Sequence, residues 1–256
     1  MTQNERLIFL IKYLLSESER YRDIDIPSDI TERKNLFRSL VNVRTPKAIS
    51  GDFVKIQDEY LKYELAEKGI ADSDTLPFAE NKISLWQGDI TTLKCGAIVN
   101  AANSALLGCF VPCHKCIDNA IHTFSGVELR LECAEIMEKQ GFAEQTGKAK
   151  ITKSYNLPCD YILHTVGPIV NGRLTEKHCT LLASCYNSCL DLAEQNGIRS
   201  IAFPCISTGE FRFPNEKAAE IAINTVREKL KTSTVERVIF NVFKDEDKRI
   251  YEKLLG

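Results

Sequence analysis

The hydrophobic rhythm of the chain changes near residue 80. Before it, apolar residues return at helical spacing in "NERLIFLIKYLLSESERY" (4–21), "PSDITERKNLFRSLVNV" (27–43) and "SGDFVKIQDEYLKYELAEKG" (50–69). The second stretch opens on Ser and Asp with Glu close behind, a helix-start signal, and the third stops at Gly69. The polar, turn-rich "ADSDTLPFAEN" (71–81) reads as a linker. Residues 1–80 are therefore expected to form a helical extension with its linker.

From about residue 82 short apolar runs replace the helical period. "KISLWQG" alternates as a strand, and "GAIVNAA", "YILHTVG", "SIAFPC" and "RVIFNVF" have the look of strands buried on both faces. Helical patterns separate them at about 116–139, 177–195, 214–230 and 246–254. Strands alternating with helices mean βαβ units and a mainly parallel sheet covered on both sides. Ligands of such sheets bind beyond the carboxyl ends of the strands.

That rule directs attention to three strand exits. Gly88 and Asp89 follow the first run, Asn100 and Asn103 the second, and "FPCISTGEFRFP" places a Ser-Thr-Gly turn before a helix starting at Pro214. Small residues and free amides near a helix start make an anion cradle suited to phosphate. Singly, Ser-Thr-Gly also reads as an ordinary turn and Asp89 as a helix cap. The ordered set of three is far more specific.

Composition narrows the partners. With 256 residues, 44% hydrophobic and 27% charged, the chain supports one large domain with a sizeable core. A net charge of −2 provides no basic footprint for nucleic acid or an anionic membrane. No apolar run of membrane-spanning length and no signal-peptide pattern occur, so a cytoplasmic protein is expected. In a reducing compartment most of the ten cysteines read as buried small hydrophobes.

The stretch "LLGCFVPCHKCIDNAIH" (106–122) is different, with three cysteines and two histidines close together. Its spacing is Cys109-x4-His114-x-Cys116. Two thiolates and an imidazole suit Zn2+, and three protein ligands leave a fourth corner open for water or substrate. The competing reading is a thiol pair and a histidine that merely pack. Cys113 adds a Cys-x2-Cys spacing, and as a fourth ligand it would close the site. Pro112 and the adjacency of Cys113 to His114 favour Cys113 as a bystander.

"GDIT", "IVNAAN", "IDNAIH" and "ISTGEF", in this order, resemble a macrodomain, the ADP-ribose-binding module, from about Lys82 to the C-terminus. The cysteine-rich loop and the N-terminal helices resemble the zinc-dependent subclass of microbial macrodomains, which are protein-ADP-ribose hydrolases. The resemblance implies a three-layer α/β/α macrodomain over residues 81–256 with a mixed, mainly parallel sheet. It implies Zn2+ held by Cys109, His114 and Cys116, with ADP-ribose and mono-ADP-ribosylated protein as partners of a monomer. By the same resemblance Asp89 meets the adenine amino group, with Gly88 and the Ile90 backbone beside it, and Asn103 lies near the distal ribose. Ser207, Thr208, Gly209, Glu210 and Phe211 hold the diphosphate. Phe243 lies against the adenine, or else is a core aromatic at a strand end. Asp118, close to the distal ribose, would accept a proton as the catalytic base, with Asn103 beside it; the bland alternative is an inert helix-start carboxylate. His122, one helical turn on, is expected to be packed and hydrogen-bonded. The implied reaction is hydrolysis of mono-ADP-ribose from protein carboxylates, an ester cleavage at C1″. Alternatives are a non-catalytic ADP-ribose reader and an O-acyl-ADP-ribose hydrolase.

Overall fold

The computed structural model describes all 256 residues. Helices α1 (Gln3–Ser16), α2 (Ile30–Val43) and α3 (Gly51–Lys68) are each capped by a side chain: Thr2 with Glu5 in a reciprocal capping box, Asp29, and Ser50. They bury Leu7, Leu10, Ile11, Phe37, Leu40, Phe53 and Tyr60 against one another. Helix α1 ends at Ser16, short of the expected Tyr21, because residues 16–20 are all polar and offer nothing to pack. The linker is not structureless. Strand β1 (Ala71–Asp72) pairs in parallel with β3 (Leu93–Lys94), and Asp72 caps a single 3-10 turn at Ser73–Thr75.

The main sheet contains β2 (Ile83–Gln87), β4 (Ala97–Ala102), β5 (Ala149–Lys153), β6 (Tyr161–Val166), β7 (Ser200–Phe203) and β8 (Arg237–Val242). Their order is β2-β8-β7-β4-β6-β5, parallel throughout except for the β5–β6 pair. The sheet is thus mixed and mainly parallel, as expected. Strand β5 was not foreseen: "AKITK" carries two lysines and lies at the sheet edge, where only pairing with β6 makes it a strand.

Alternation along the strands sends side chains to two faces. Val99, Leu163, Ile201, Phe203, Val238 and Phe240 pack against α6 (Glu176–Gln195), α7 (Asn215–Leu230) and α8 (Asp245–Leu255). Ile98, Ile162, Ala202 and Ile239 face α4 (Ile117–Ser125) and α5 (Val127–Gln140). The expected single helix over 116–139 is therefore two. Gly126 breaks it at φ +108°, and a Cβ there would lie 2.6 Å from Gln57 Nε2. Buried Gln57, from α3, accepts a 2.9 Å hydrogen bond from Val127 N at the start of α5. No helix is long and apolar enough to cross a membrane. Because β2, β8, β7, β4 and β6 are parallel, the loops at 88–90, 243, 204–211, 103 and 167 leave from one edge of the sheet.

Candidate metal and nucleotide site at the carboxyl edge

Asn100 near the end of β4 and Asp118 in the first turn of α4 meet beneath this edge. Asn100 Nδ2 donates to Asp118 Oδ1 (2.8 Å), and Asn103 Nδ2 donates to Asp118 Oδ2 (3.3 Å) and to the Gly108 carbonyl (3.0 Å). Asp118 is only 5% exposed. Burial raises its pKa to about 6, opposed by the Asn100 hydrogen bond, the charge of Arg130 and the Asn103 bond. His164 Nδ1 lies 3.1 Å from Asn100 Nδ2 and its Nε2 lies 2.9 Å from Thr152 Oγ1. Burial lowers the His164 pKa to about 3, so the ring is neutral, with Nδ1 accepting from the amide. His122 is packed as expected but not hydrogen-bonded. Its Nε2 is 3.6 Å from Asp118 Oδ1, and neither ring nitrogen has a hydrogen-bond partner.

The Cys-His loop brings Cys109, His114 and Cys116 together with their ligand atoms within 4.8 Å of one another. Cys109 Sγ and His114 Nδ1 are 3.6 Å apart. Zn–S of about 2.3 Å and Zn–N of about 2.0–2.1 Å at tetrahedral angles require an S···N separation of about 3.6 Å. The donor set and its spacing therefore fit zinc. Cys116 is also the N-cap of α4, its Sγ accepting from Asn119 N (3.4 Å). Burial, with neighbouring Cys109 and Asp118, pushes its thiol up to about 12, whereas a bound divalent ion favours the thiolate. Cys113 is turned away, at φ +52°, with Sγ 3.2 Å from Ser39 Oγ and 3.4 Å from the Asn35 carbonyl. The outer nitrogen of His114, Nε2, faces Glu210 Oε1 at 3.7 Å.

The other loops align along the same edge. Asp89 caps the turn at Ile90–Thr92, accepting from Thr91 N (3.0 Å) and Thr91 Oγ1 (2.6 Å), and its second oxygen is 3.6 Å from Lys68 Nζ. Gly88 donates to the Val242 carbonyl, and a Cβ there would strike the Trp86 ring at 2.3 Å. In the Ser-Thr-Gly loop, Ser207 has φ +67° and a buried Oγ with no partner. Thr208 Oγ1 closes on the Cys205 carbonyl at 3.0 Å, while the amides of Gly209, Glu210 and Phe211 donate to no protein acceptor. The loop is pinned by Phe213 N to the Ser207 carbonyl and by Val170 N to the Phe211 carbonyl, both 2.9 Å. Phe243 is 76% exposed at the end of β8, which excludes its reading as a core aromatic. Strand order thus runs from Asp89 and Phe243 (β2, β8), through 207–211 (β7), to Asn103, Asp118 and the Cys-His loop (β4). Three inter-strand steps span about 14 Å.

Residues 99–222 match the Macro domain. Over its full length the chain is 55% identical to a protein-ADP-ribose hydrolase of Treponema medium, covering 100% of each. The chain belongs to the Macro domain family. A protein-ADP-ribose hydrolase of Staphylococcus aureus (strain MSSA476) is 48% identical over 95% of this chain and 94% of its own. The fold matches a Trypanosoma brucei macrodomain solved with ADP (TM-score 0.66, 31% identity, 87% of this chain and 96% of that one). It also matches an Oceanobacillus iheyensis macrodomain mutant solved with ADPR (TM-score 0.64, 36% identity, 71% and 96%). In this macrodomain Asn100, expected to follow the second strand, lies inside β4 and bonds Asp118, and the site also gathers residues whose part was not read from the sequence: His164 around Asp118, Arg130 near it, and Arg38 on the Cys-His loop. Asn100 and His164 did leave a trace, as polar residues inside otherwise apolar strand runs. Arg38 and Arg130 left none.

Proposed function

We propose that this macrodomain hydrolyses mono-ADP-ribose from modified protein carboxylates, with zinc held by Cys109, His114 and Cys116. It is a hydrolase by kinship with the protein-ADP-ribose hydrolases that match it along nearly their whole length. The observation carrying the finer reading is the convergence of a buried, hydrogen-bonded carboxylate and a Cys2His trio at one end of an elongated, phosphate-suited edge.

In this reading the adenine lies between Asp89 and exposed Phe243. The diphosphate meets the unpaired amides of 209–211 and the orphaned Ser207 hydroxyl, a donor set suited to anionic oxygens. The distal ribose then lies above Asn103 and Asp118. A bound zinc would supply Lewis acidity and position an oxygen near C1″; two thiolates cancel its formal charge, so positioning outweighs hydroxide generation. Asp118, held at both oxygens by Asn100 and Asn103, accepts a proton from water or from a ribose hydroxyl. The water oxygen bonds to C1″, the C1″–O ester bond breaks, and the protein carboxylate leaves with its electron pair. A non-catalytic reader needs neither the metal trio nor the buried carboxylate.

The deciding experiment pairs metal analysis of the purified protein with turnover on a glutamate-ADP-ribosylated peptide and on an O-acyl-ADP-ribose. One zinc per chain and release of ADP-ribose from the peptide are expected. Binding without release from either substrate would make the protein a reader, and release from the acyl ester alone would make it a small-molecule esterase. Full peptide turnover by metal-free protein would remove zinc from the reaction.

A further inference from the structure

Helix α2 has two working faces. Phe37, Leu40 and Val41 enter the core of the helical extension. Asn35, Arg38, Ser39 and Asn42, spaced i, i+3, i+4, i+7, form a polar stripe. Every member of that stripe touches the metal loop or α4. Arg38 donates from Nε (3.1 Å) and Nη2 (2.7 Å) to Asn119 Oδ1, and from Nη2 to the His114 carbonyl (3.0 Å). Asn42 Oδ1 accepts from Cys113 N (2.9 Å), and its Nδ2 donates to Thr123 Oγ1 (2.9 Å). Ser39 Oγ and the Asn35 carbonyl take the Cys113 thiol.

Asn119 passes this grip to the ligands. Its fully buried side chain donates from Nδ2 to the Val111 carbonyl (3.0 Å) and the Cys109 carbonyl (3.4 Å), while its backbone N–H points at Cys116 Sγ (3.4 Å). Each of the three ligands is therefore tied to Arg38 directly or through one amide. Arg130 holds the other end, donating from Nε to the Leu107 carbonyl (2.7 Å) and from Nη1 to the carbonyls of Val41 (2.9 Å), Asn42 (3.0 Å) and Arg44. The loop from Leu107 to Lys115 has no helix or strand of its own, so these side-chain bonds do what a rigid element does elsewhere. An irregular loop left free would have to be ordered at the expense of metal affinity.

We propose that α2 is a positioning element for the metal loop, with Arg38 acting through Asn119 to keep Cys109, His114 and Cys116 in ligating arrangement. This rests on the zinc reading above. The partner groups around metal ligands typically control metal affinity by about 10–100-fold. Packing alone predicts something else: loss of Arg38, which is partly exposed, would trim general stability without a selective effect on metal.

The test uses the full chain as wild type, Arg38→Met and Arg38→Lys. Zinc affinity is measured by competition with a chromophoric chelator, and zinc release after adding excess chelator. Melting of the metal-free protein and calorimetric binding of ADP, which lacks the distal ribose, serve as controls. Arg38→Met is expected to weaken zinc, or speed its release, by about 10–100-fold, with metal-free melting and ADP affinity near wild type. Arg38→Lys keeps the stem and charge but cannot fork between Asn119 Oδ1 and the His114 carbonyl, so it should fall between. Failure of the wild type to bind zinc overturns the reading beneath the proposal. Tight zinc binding by the wild type, with both variants matching its affinity and release rate, overturns the positioning role alone. If Arg38→Met does not fold, Arg38→Lys decides: wild-type zinc affinity refutes the proposal.

Discussion

Truncation of Asp118 to alanine separates catalysis from structure because of how its neighbours are bonded. Asn100 Nδ2 keeps His164 Nδ1, and Asn103 Nδ2 keeps the Gly108 carbonyl, so each amide retains one of its two N–H bonds and its orientation. The lost hydrogen bonds to a charged group cost roughly 1.5–3 kcal/mol each, but the variant also removes a buried carboxylate whose raised pKa records its desolvation. These terms oppose each other, so a melting shift within a few degrees is expected, since 1 kcal/mol moves a chain of this size by about 2–4 °C. Removal of a general base costs about 10²–10⁴-fold in rate, or about 2.7–5.5 kcal/mol in barrier. Single-turnover release of ADP-ribose from a modified peptide reads the rate, and zinc content, melting and calorimetric ADP-ribose affinity are taken on the same preparation. Asp118→Asn should fall at least as far, because its amide turns an NH2 toward the NH2 of Asn100 or Asn103. A rate within about fivefold of wild type, with zinc in place, would refute the base assignment and leave Asp118 a buried helix-start carboxylate.

Cys116→Ser should lose zinc and turnover together while ADP affinity persists, whereas Cys113→Ser, whose thiol faces Ser39, should keep both zinc and rate; elemental analysis beside the assay distinguishes them. Asp89→Ala should weaken ADP-ribose by roughly 1.5–3 kcal/mol at unchanged zinc content, and an unaltered calorimetric affinity would remove Asp89 from the adenine pocket. Gly108→Ala places a Cβ 2.7 Å from the His122 ring at a backbone φ of +79°. The left-handed penalty of about 1–2 kcal/mol and an overpacking cost of about 1–3 kcal/mol should lower melting of the metal-free protein by several degrees; an unmoved transition would show that His122 yields.

The chain alone determined the main architecture, because strands and amphipathic helices announce themselves by period: β2 lies on an alternating stretch, and β4, β6, β7 and β8 lie where short, mostly apolar runs stand between turn signals. It also displayed the Cys-His trio, since candidate ligands five and two residues apart stand out in sequence, although the bonds that hold their loop come from α2. Strand β5 and the break at Gly126 escaped because both depend on partners far along the chain, β6 and Gln57. The turning of Cys113 toward α2 was favoured by local sterics, but its partners, Ser39 and Asn35, are more than seventy residues away. Asn100, His164 and Arg130 around Asp118, and the stripe of α2 on the metal loop, were decided only by tertiary structure. A hydrogen bond between residues 81 apart, such as Arg38 to Asn119, leaves no periodicity in sequence. It exists because burial strips Asn119 of water and the half-buried Arg38 guanidinium takes the water's place.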